Sequence, residues 1–349
     1  MSVPKLVQSD TTSPSVLVEQ QDRSSRGRSE SRRPGLSAAA GAAPTRIGID
    51  IGGSKAEAVA VGPSGAIVAR TRRATERGSE GVLATARAAI ADLGAADVAS
   101  VGIGIPGQIV GGVVRNAVNL GVTELDLAGE LERSLGVPVA VQNDVNAAAL
   151  GAHALLARDE AVRPAGELFA YLNLGTGIAA GVVLDGRLWR GWGGTAGEVG
   201  HVSIDPAGPE CPCGQRGCIE TFAGGASVAR RWGRGGDLPV RDVFDAADAG
   251  DPHALVLRSD LARGVAAAVH VLVLTMDPVA VVIGGGVARL GDRLLDVVRS
   301  ELRERSARSA FLTSLRLPDR IELLPPDSAA GALGAALGGE VESRKALHG

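Results

Sequence analysis

The sequence predicts an α/β protein built twice on one plan. Two observations lead there. Strand-like and helix-like segments alternate along the chain, and two stretches repeat one another as glycine-turn β-meanders. The first meander is "RIGIDIGGSKAEAVAVGPSGAIVARTRR", from Arg46, and the second is "LFAYLNLGTGIAAGVVLDGRLWRG", from Leu168. Laid over each other, Asp50 falls on Asn173 and Gly52 on Gly175, with Ser-Gly and Asp-Gly turns at similar distances beyond. Between the meanders the patterns read helix (81–93), strand (100–105), helix (128–135), strand (137–141) and helix (145–156). The second half continues with long Ala/Leu/Val helices and a buried strand, "VAVVIGG", at 279–285.

Bulk properties narrow the function. At 349 residues, of which 45% are hydrophobic, the chain can bury more than one core. A net charge of −3 gives no general attraction to nucleic acid or acidic membranes, and eight aromatic residues are too few for a base-stacking surface. No apolar core of a secretory signal opens the chain. The best membrane candidate, about twelve residues from Val265 to Met276, is short of the roughly twenty needed to span and is broken by His270, so a buried helix is expected there. A soluble cytoplasmic protein is expected, in a compartment where structural disulfides are rare. Residues 1–44, rich in Ser, Arg, Pro and Ala, are expected to form a solvated tail.

Forty-nine glycines cluster after apolar runs, where a backbone approaches a ligand. There is no Gly-Lys-Ser or Gly-Lys-Thr phosphate loop. "GIGIPG", ending at Gly107, fits the dinucleotide spacing, but "QIVGGVVRN" after it is not the helix that spacing requires. "DIGGSK" (Asp50, Gly52, Gly53, Ser54, Lys55) and "LGTGI" (Gly175, Thr176, Gly177) sit at strand-to-strand turns, where backbone amides can face an anion. Asp50 is placed to approach a hydrated Mg²⁺. A third loop, "IGGGV" at 283–287 with Gly285 and Gly286, precedes the helix pattern "ARLGDRLLDVVRSEL" and would let a flat ring or phosphate reach a helix start. Together the three loops point to a nucleotide.

All three cysteines lie within eight residues. His201, Cys211, Cys213 and Cys218 follow the spacing H-x₉-C-x-C-x₄-C, whose donors complete a closed tetrahedral zinc site. Cys-x-Cys lacks the two-residue spacer of a redox pair, and an odd cysteine count argues against disulfides. With no open position the zinc would be structural, shaping the loop that bears Glu198 and Glu220. In "VPVAVQNDVNAAALGAHALL", Asp144 stands at a strand end before a helix. It reads either as an N-cap or as a general base. Asn143 beside it and the two glutamates suit a polyhydroxyl ligand.

"DIGGSK", "GIGIPG", "QNDVNAAALGA", "LGTGI", "GEVGH", "CPCGQRGCIE" and "IGGGV", in this order over about residues 46–340, resemble the ROK family of repressors and kinases. The resemblance implies an actin-like ATPase (ribonuclease H-like) fold, with two duplicated α/β domains flanking a nucleotide and sugar cleft. It further implies ATP and Mg²⁺, with Asp144 deprotonating a sugar hydroxyl. Asn143, Glu198, His201 and Glu220 would hold sugar hydroxyls, with Gly107 and Asn119 as further substrate contacts. Asp50, Gly52, Gly53, Gly175 and Thr176 would serve phosphates and Mg²⁺, and Gly285 and Gly286 would lie near the adenosine. The domains expected are 45–160 with 326–349, and 161–325 with its zinc loop at 201–218. Ser54 stands where the family has Thr, Gln142 where Glu is frequent, and Ala179-Ala180 where glycine is common. "NAVNLGVTELDL" lacks a tryptophan found in glucokinases. The expected acceptor is the 6-hydroxyl of a hexose such as glucose. An N-acylmannosamine, another hexose or a sugar-like cyclitol is the alternative, and a sugar-responsive regulator a more distant one. About 45 residues precede the first strand without helical periodicity, so no DNA reader and no specific nucleic-acid partner is expected. A homodimer or homotetramer is.

Overall fold

The first meander is β1 (Thr45–Ile51), β2 (Lys55–Val61) and β3 (Ile67–Ala74), antiparallel throughout. This computed structural model describes residues 45–157 and 168–338. The expected tail over 1–44, and the segments 158–167 and 339–349, lie outside the described residues. Next come α1 (Gly78–Leu93), β4 (Val98–Ile105), a small sheet of β5 (Gln108–Val110), β6 (Val113–Ala117) and β7 (Val122–Asp126), then α2 (Leu127–Leu135), β8 (Val139–Asn143) and α3 (Asp144–Ala157). The second half holds β9 (Phe169–Leu174), β10 (Ile178–Leu184), β11 (Arg187–Leu188), α4 (Ile219–Ala223), α5 (Gly225–Trp232), α6 (Pro239–Asp248), α7 (Pro252–Met276), β12 (Val281–Gly284), α8 (Asp292–Ser306), α9 (Ala310–Ser314), β13 (Ile321–Leu323) and α10 (Ala330–Gly338).

The duplication is explicit in the sheets. Their strand orders are β3-β2-β1-β4-β8 and β11-β10-β9-β12-β13, each a meander extended by two parallel strands. Period-two patterning divides the faces. Ile47, Ile49 and Ile51 of β1 are fully buried in a core with α1 and α2, whereas Gly48 and Asp50 point the other way. The second half buries a larger core around α7, including Leu261, Val265 and Phe244. The described residues form one compact unit.

Glycine permits the closest contacts. α10 lies on β1 and β4, and a Cβ on Gly48 or Gly102 would overlap the carbonyl oxygen of Ala332 or Ala335. α10 also packs on α3, where a Cβ on Gly151 would overlap the Ala330 carbonyl and one on Gly334 that of Ala147. The last described helix, α10, is thereby pressed against the first sheet.

Three readings need correction. Strand 137–141 is shifted to Val139–Asn143, because Pro138 has no N–H to donate and contributes only its carbonyl, to Val101. Asn143 therefore ends the strand and Asp144 opens the helix. After "IGGGV" the helix does not start at once: Val287–Leu290 is a 3₁₀ turn and α8 begins at Asp292, since Gly291, at φ 64°, breaks the run. The apolar stretch 265–276 belongs to a 25-residue helix, long and apolar enough by composition to cross a membrane. About half of its most apolar window (56%) is buried in the second core, so here it is a core helix.

Gly334→Ala is expected to destabilise the protein by about 1–3 kcal/mol in urea unfolding, since the added methyl meets backbone that cannot move aside. Gly235→Ala, where a Cβ meets open space, is the matched control and is expected to stay within about 0.5 kcal/mol.

Candidate active site

Asp50, near the end of β1, and Asp144, the first residue of α3, line one cleft of about 470 Å³ walled by residues of both halves. Lys55, Gly285 and Gly286 share that wall, so five of the expected residues meet there. Burial pushes the Asp50 carboxyl up to about 7; the charges of Asp144 and Glu57 add to the rise and Lys55 opposes it. Asp144 is also raised above the ordinary carboxylate range by burial, against hydrogen bonds from the Val145 and Asp144 backbone amides and from Asn143. Two desolvated carboxylates facing one space favour a cation between them.

The choice between cap and base at Asp144 is narrowed by Asn143. Its Oδ1 accepts from the N–H groups of Val145 (2.9 Å) and Asn146 (3.3 Å), the bonding of an N-cap. Asp144 Oδ1 takes the Val145 N–H at 3.0 Å. With α3 already capped, the Asp144 carboxylate is available to the cleft.

The glycine turns close as expected. In the first, the Gly52 N–H donates to the Lys55 carbonyl at 2.9 Å, leaving Gly53 and Ser54 exposed. In the second, the Gly175 N–H donates to the Gly177 carbonyl at 3.0 Å, and the Gly225 and Ala226 amides of α5 bond the Gly175 and Thr176 carbonyls. Neither tip lies on the wall of the 470 Å³ cleft. Gly53 faces Asn119, whose carbonyl accepts from Arg77. Gly107, at φ 113°, could bear no Cβ without overlapping the Arg115 carbonyl.

Glu198, His201 and Glu220 form a second group, tied to Asp144 through β10. The Ile178 N–H donates to Glu220 Oε2 at 2.9 Å. Gly197 and Gly200 of "GEVGH" press against the Ala180 and Ile178 carbonyls, and Gly181 presses against the first turn of α3. One strand thus sets the position of both groups.

The four metal donors come together. Cys213 Sγ and Cys218 Sγ are 3.7 Å apart, Cys211 Sγ and His201 Nδ1 are 3.8 Å apart, and all four ligand atoms lie within 4.8 Å of one another. A tetrahedron with Zn–S bonds of about 2.3 Å has edges of about 3.8 Å, so the donors fit zinc. Gly214 (φ 93°) and Gly217 (φ 67°) make the turns. Burial pushes the Cys218 thiol up to about 12 and raises Cys211, while the Gln215 N–H draws Cys213 down to about 6. Three thiolates this close need a cation to coexist. His201 turns Nδ1 to the thiols and leaves Nε2 4.0 Å from Glu198.

Sequence reasoning missed several cleft residues: Tyr171, Asn173, Glu57, Arg72, Arg289 and Asp327. The Tyr171 hydroxyl, kept protonated chiefly by burial, donates to Asn173 Oδ1 at 3.4 Å. Asp50, Glu57 and Arg72 form one cross-strand row, and Arg72 reaches Asp327 at 3.1 Å. The overlay of Asp50 on Asn173 was a usable signal for Asn173; the others follow only from strand pairing and the return of residues 323–331 to the cleft.

The ROK family model matches residues 46–337. A glucokinase of Halalkalibacterium halodurans is 32% identical over 280 residues, covering 72% of this chain and 83% of the relative. An N-acetylmannosamine kinase of Escherichia coli is 33% identical over 303 residues, 84% of this chain and 97% of the relative. The crystal structure of a ROK family glucokinase from Streptomyces griseus, in complex with glucose and AMPPNP, superposes with TM-score 0.67 at 30% identity, covering 84% of this chain and 98% of that one.

Proposed function

The chain belongs to the ROK family, and from that premise we propose that it is a sugar kinase in which Asp144 deprotonates the acceptor hydroxyl that attacks the γ-phosphate of ATP. The observation behind this is the pairing of Asp144 with Asp50 in one cleft whose wall also holds Lys55, Gly285 and Gly286. The raised pKa of Asp144 makes it a stronger base than a solvent-exposed aspartate. Capping by Asn143 orients it. The exposed turn tips at Gly53, Ser54 and Thr176 are suited to phosphate oxygens, and Gly285 and Gly286 leave room for the nucleoside. Mg²⁺ held near Asp50 would neutralise phosphate charge during transfer. Because phosphoryl transfer needs placement and charge neutralisation, no covalent role falls to the protein.

The acceptor would sit against Glu198, His201 and Glu220, which meet β10 through Gly197, Gly200 and the Glu220 carboxylate. A structural zinc on His201, Cys211, Cys213 and Cys218 would fix that wall: His201 gives Nδ1 to the metal and offers Nε2 to a hydroxyl beside Glu198, and Cys218 directly precedes the helix bearing Glu220. The acceptor we favour is the 6-hydroxyl of a hexose such as glucose, with N-acylmannosamine the nearest alternative, since relatives of both names resemble the chain comparably. The setting we favour is the cytoplasm, where reduced thiols remain available to a metal. The halves flanking the cleft are taken as 45–160 with 326–349 and as 161–325; the packing of α10 on β1 and β4 supports this division.

Incubated with ATP, Mg²⁺ and a panel of hexoses, N-acyl hexosamines and cyclitols, the protein is expected to phosphorylate at least one, and Asp144→Asn to lower kcat about 10²–10⁴-fold with sugar binding kept. Turnover unchanged in Asp144→Asn would remove the base from Asp144. Metal analysis is expected to find one zinc per chain, lost with a lower melting temperature in Cys218→Ser. A zinc-free chain with full stability and activity would end the structural-metal reading.

A further inference from the structure

The loop between β11 and Glu198 carries two of the three tryptophans, and both are exposed. Trp189 is 47% exposed and Trp192 is wholly in solvent, whereas Trp232 is buried at 5%. In a chain with only eight aromatic residues, two large apolar faces left open on one loop mark a surface awaiting a ligand. The loop is closed at its base by the Ala196 N–H donating to the Arg190 carbonyl at 3.2 Å, and by the Trp189 N–H donating to Val182 at 2.8 Å. Its turns fall on Gly191 (φ 69°), Gly194 (φ 73°) and Gly197 (φ 99°). A Cβ on Gly193 or Gly194 would meet nothing within 4 Å, so the turn beside Trp192 is uncrowded. Beyond the base the chain enters the sugar wall directly, at Glu198 and then His201.

We propose that Trp192 closes over the acceptor sugar held at Glu198 and His201 and stacks its indole on the apolar C–H face of the ring, making it a specificity-determining contact. This rests on the kinase reading above. The hydroxyl rim of a pyranose engages the carboxylates and imidazole, and its C–H face, otherwise left to water, is matched by a flat rigid aromatic that loses little side-chain freedom on binding. Rotation at Gly191 and Gly194 brings the indole over the site while Gly197, wedged on β10, keeps Glu198 in place. Axial substituents on the stacked face would lift the ring from the indole, so sugars differing only there are discriminated.

The test uses the full chain and its own tryptophans. In Trp189→Phe, Trp232 is shielded and Trp192 dominates acrylamide quenching; titration with glucose and with N-acetylmannosamine is followed by emission and, in parallel, by calorimetry. The sugar that binds is expected to shift the emission to the blue and to cut quenching about twofold. Trp192→Ala is expected to raise the KM for that sugar about tenfold, the worth of a lost aromatic stack, with the KM for ATP within about twofold, and Trp192→Phe to recover most of the loss. Sugar binding by calorimetry with Trp192 quenching unchanged, or an unaltered sugar KM in Trp192→Ala, overturns the inference and leaves the kinase standing. Absence of binding to every sugar in the panel overturns the kinase reading, and this contact with it.

Discussion

Two carboxylates held in one desolvated cleft set the terms for the rest of this molecule. Asp50 is brought there by β1 and Asp144 by the turn from β8 into α3, and the Asp144 charge adds to the cost of ionising Asp50. Such an arrangement is unfavourable for an empty protein. In the proposed reading it becomes favourable when a divalent cation and its phosphates enter and the charges acquire partners, so the feature that burdens the fold would prepare the reaction.

The close approach depends on missing side chains. Gly331, in the first turn of α10, lies against the Asp50 carboxylate, and Gly48, Gly102, Gly151 and Gly334 let that helix sit on the sheet and on α3 at backbone contact. β10 does the corresponding work on the other side, linking α3 through Gly181 with Glu220 and the Gly197–Gly200 segment through Ile178 and Ala180. In the proposed reading, a metal on the thiol cluster stiffens the outer part of that side. Around the site, close glycine contacts bring the backbones together.

Much of this was legible in the chain because the signals were local. The turns of "DIGGSK" and "LGTGI", the duplicated meander and the spacing of His201, Cys211, Cys213 and Cys218 each depend on neighbours close in sequence. What was not legible depends on tertiary placement. The strand ending at Asn143 was set two residues early because its pairing with β4, not its apolar pattern, fixes its limits. The third glycine loop was read as meeting a helix start, yet Gly291 delays the helix to Asp292. The β5–β7 sheet went unseen because its strands are short and half exposed. Glu57 and Arg72 enter the site through cross-strand register, and Asp327 through a segment that returns from far along the chain.

The ionisation of Asp50 tests the central claim most directly. Its native pKa lies above the unfolded value, so the stability it lends is fully present below about 4 and is lost as pH rises through about 7. A bound cation should reverse that loss. Carboxyl ¹³C NMR of aspartate-labelled protein, with Asp50→Asn assigning the signal, should show Asp50 titrating near 7 without divalent cation and in the ordinary range near about 4 with Mg²⁺ and ATP. Titration in the ordinary range without any cation would contradict the account, because the cleft would then impose no charge problem for a metal–nucleotide complex to solve.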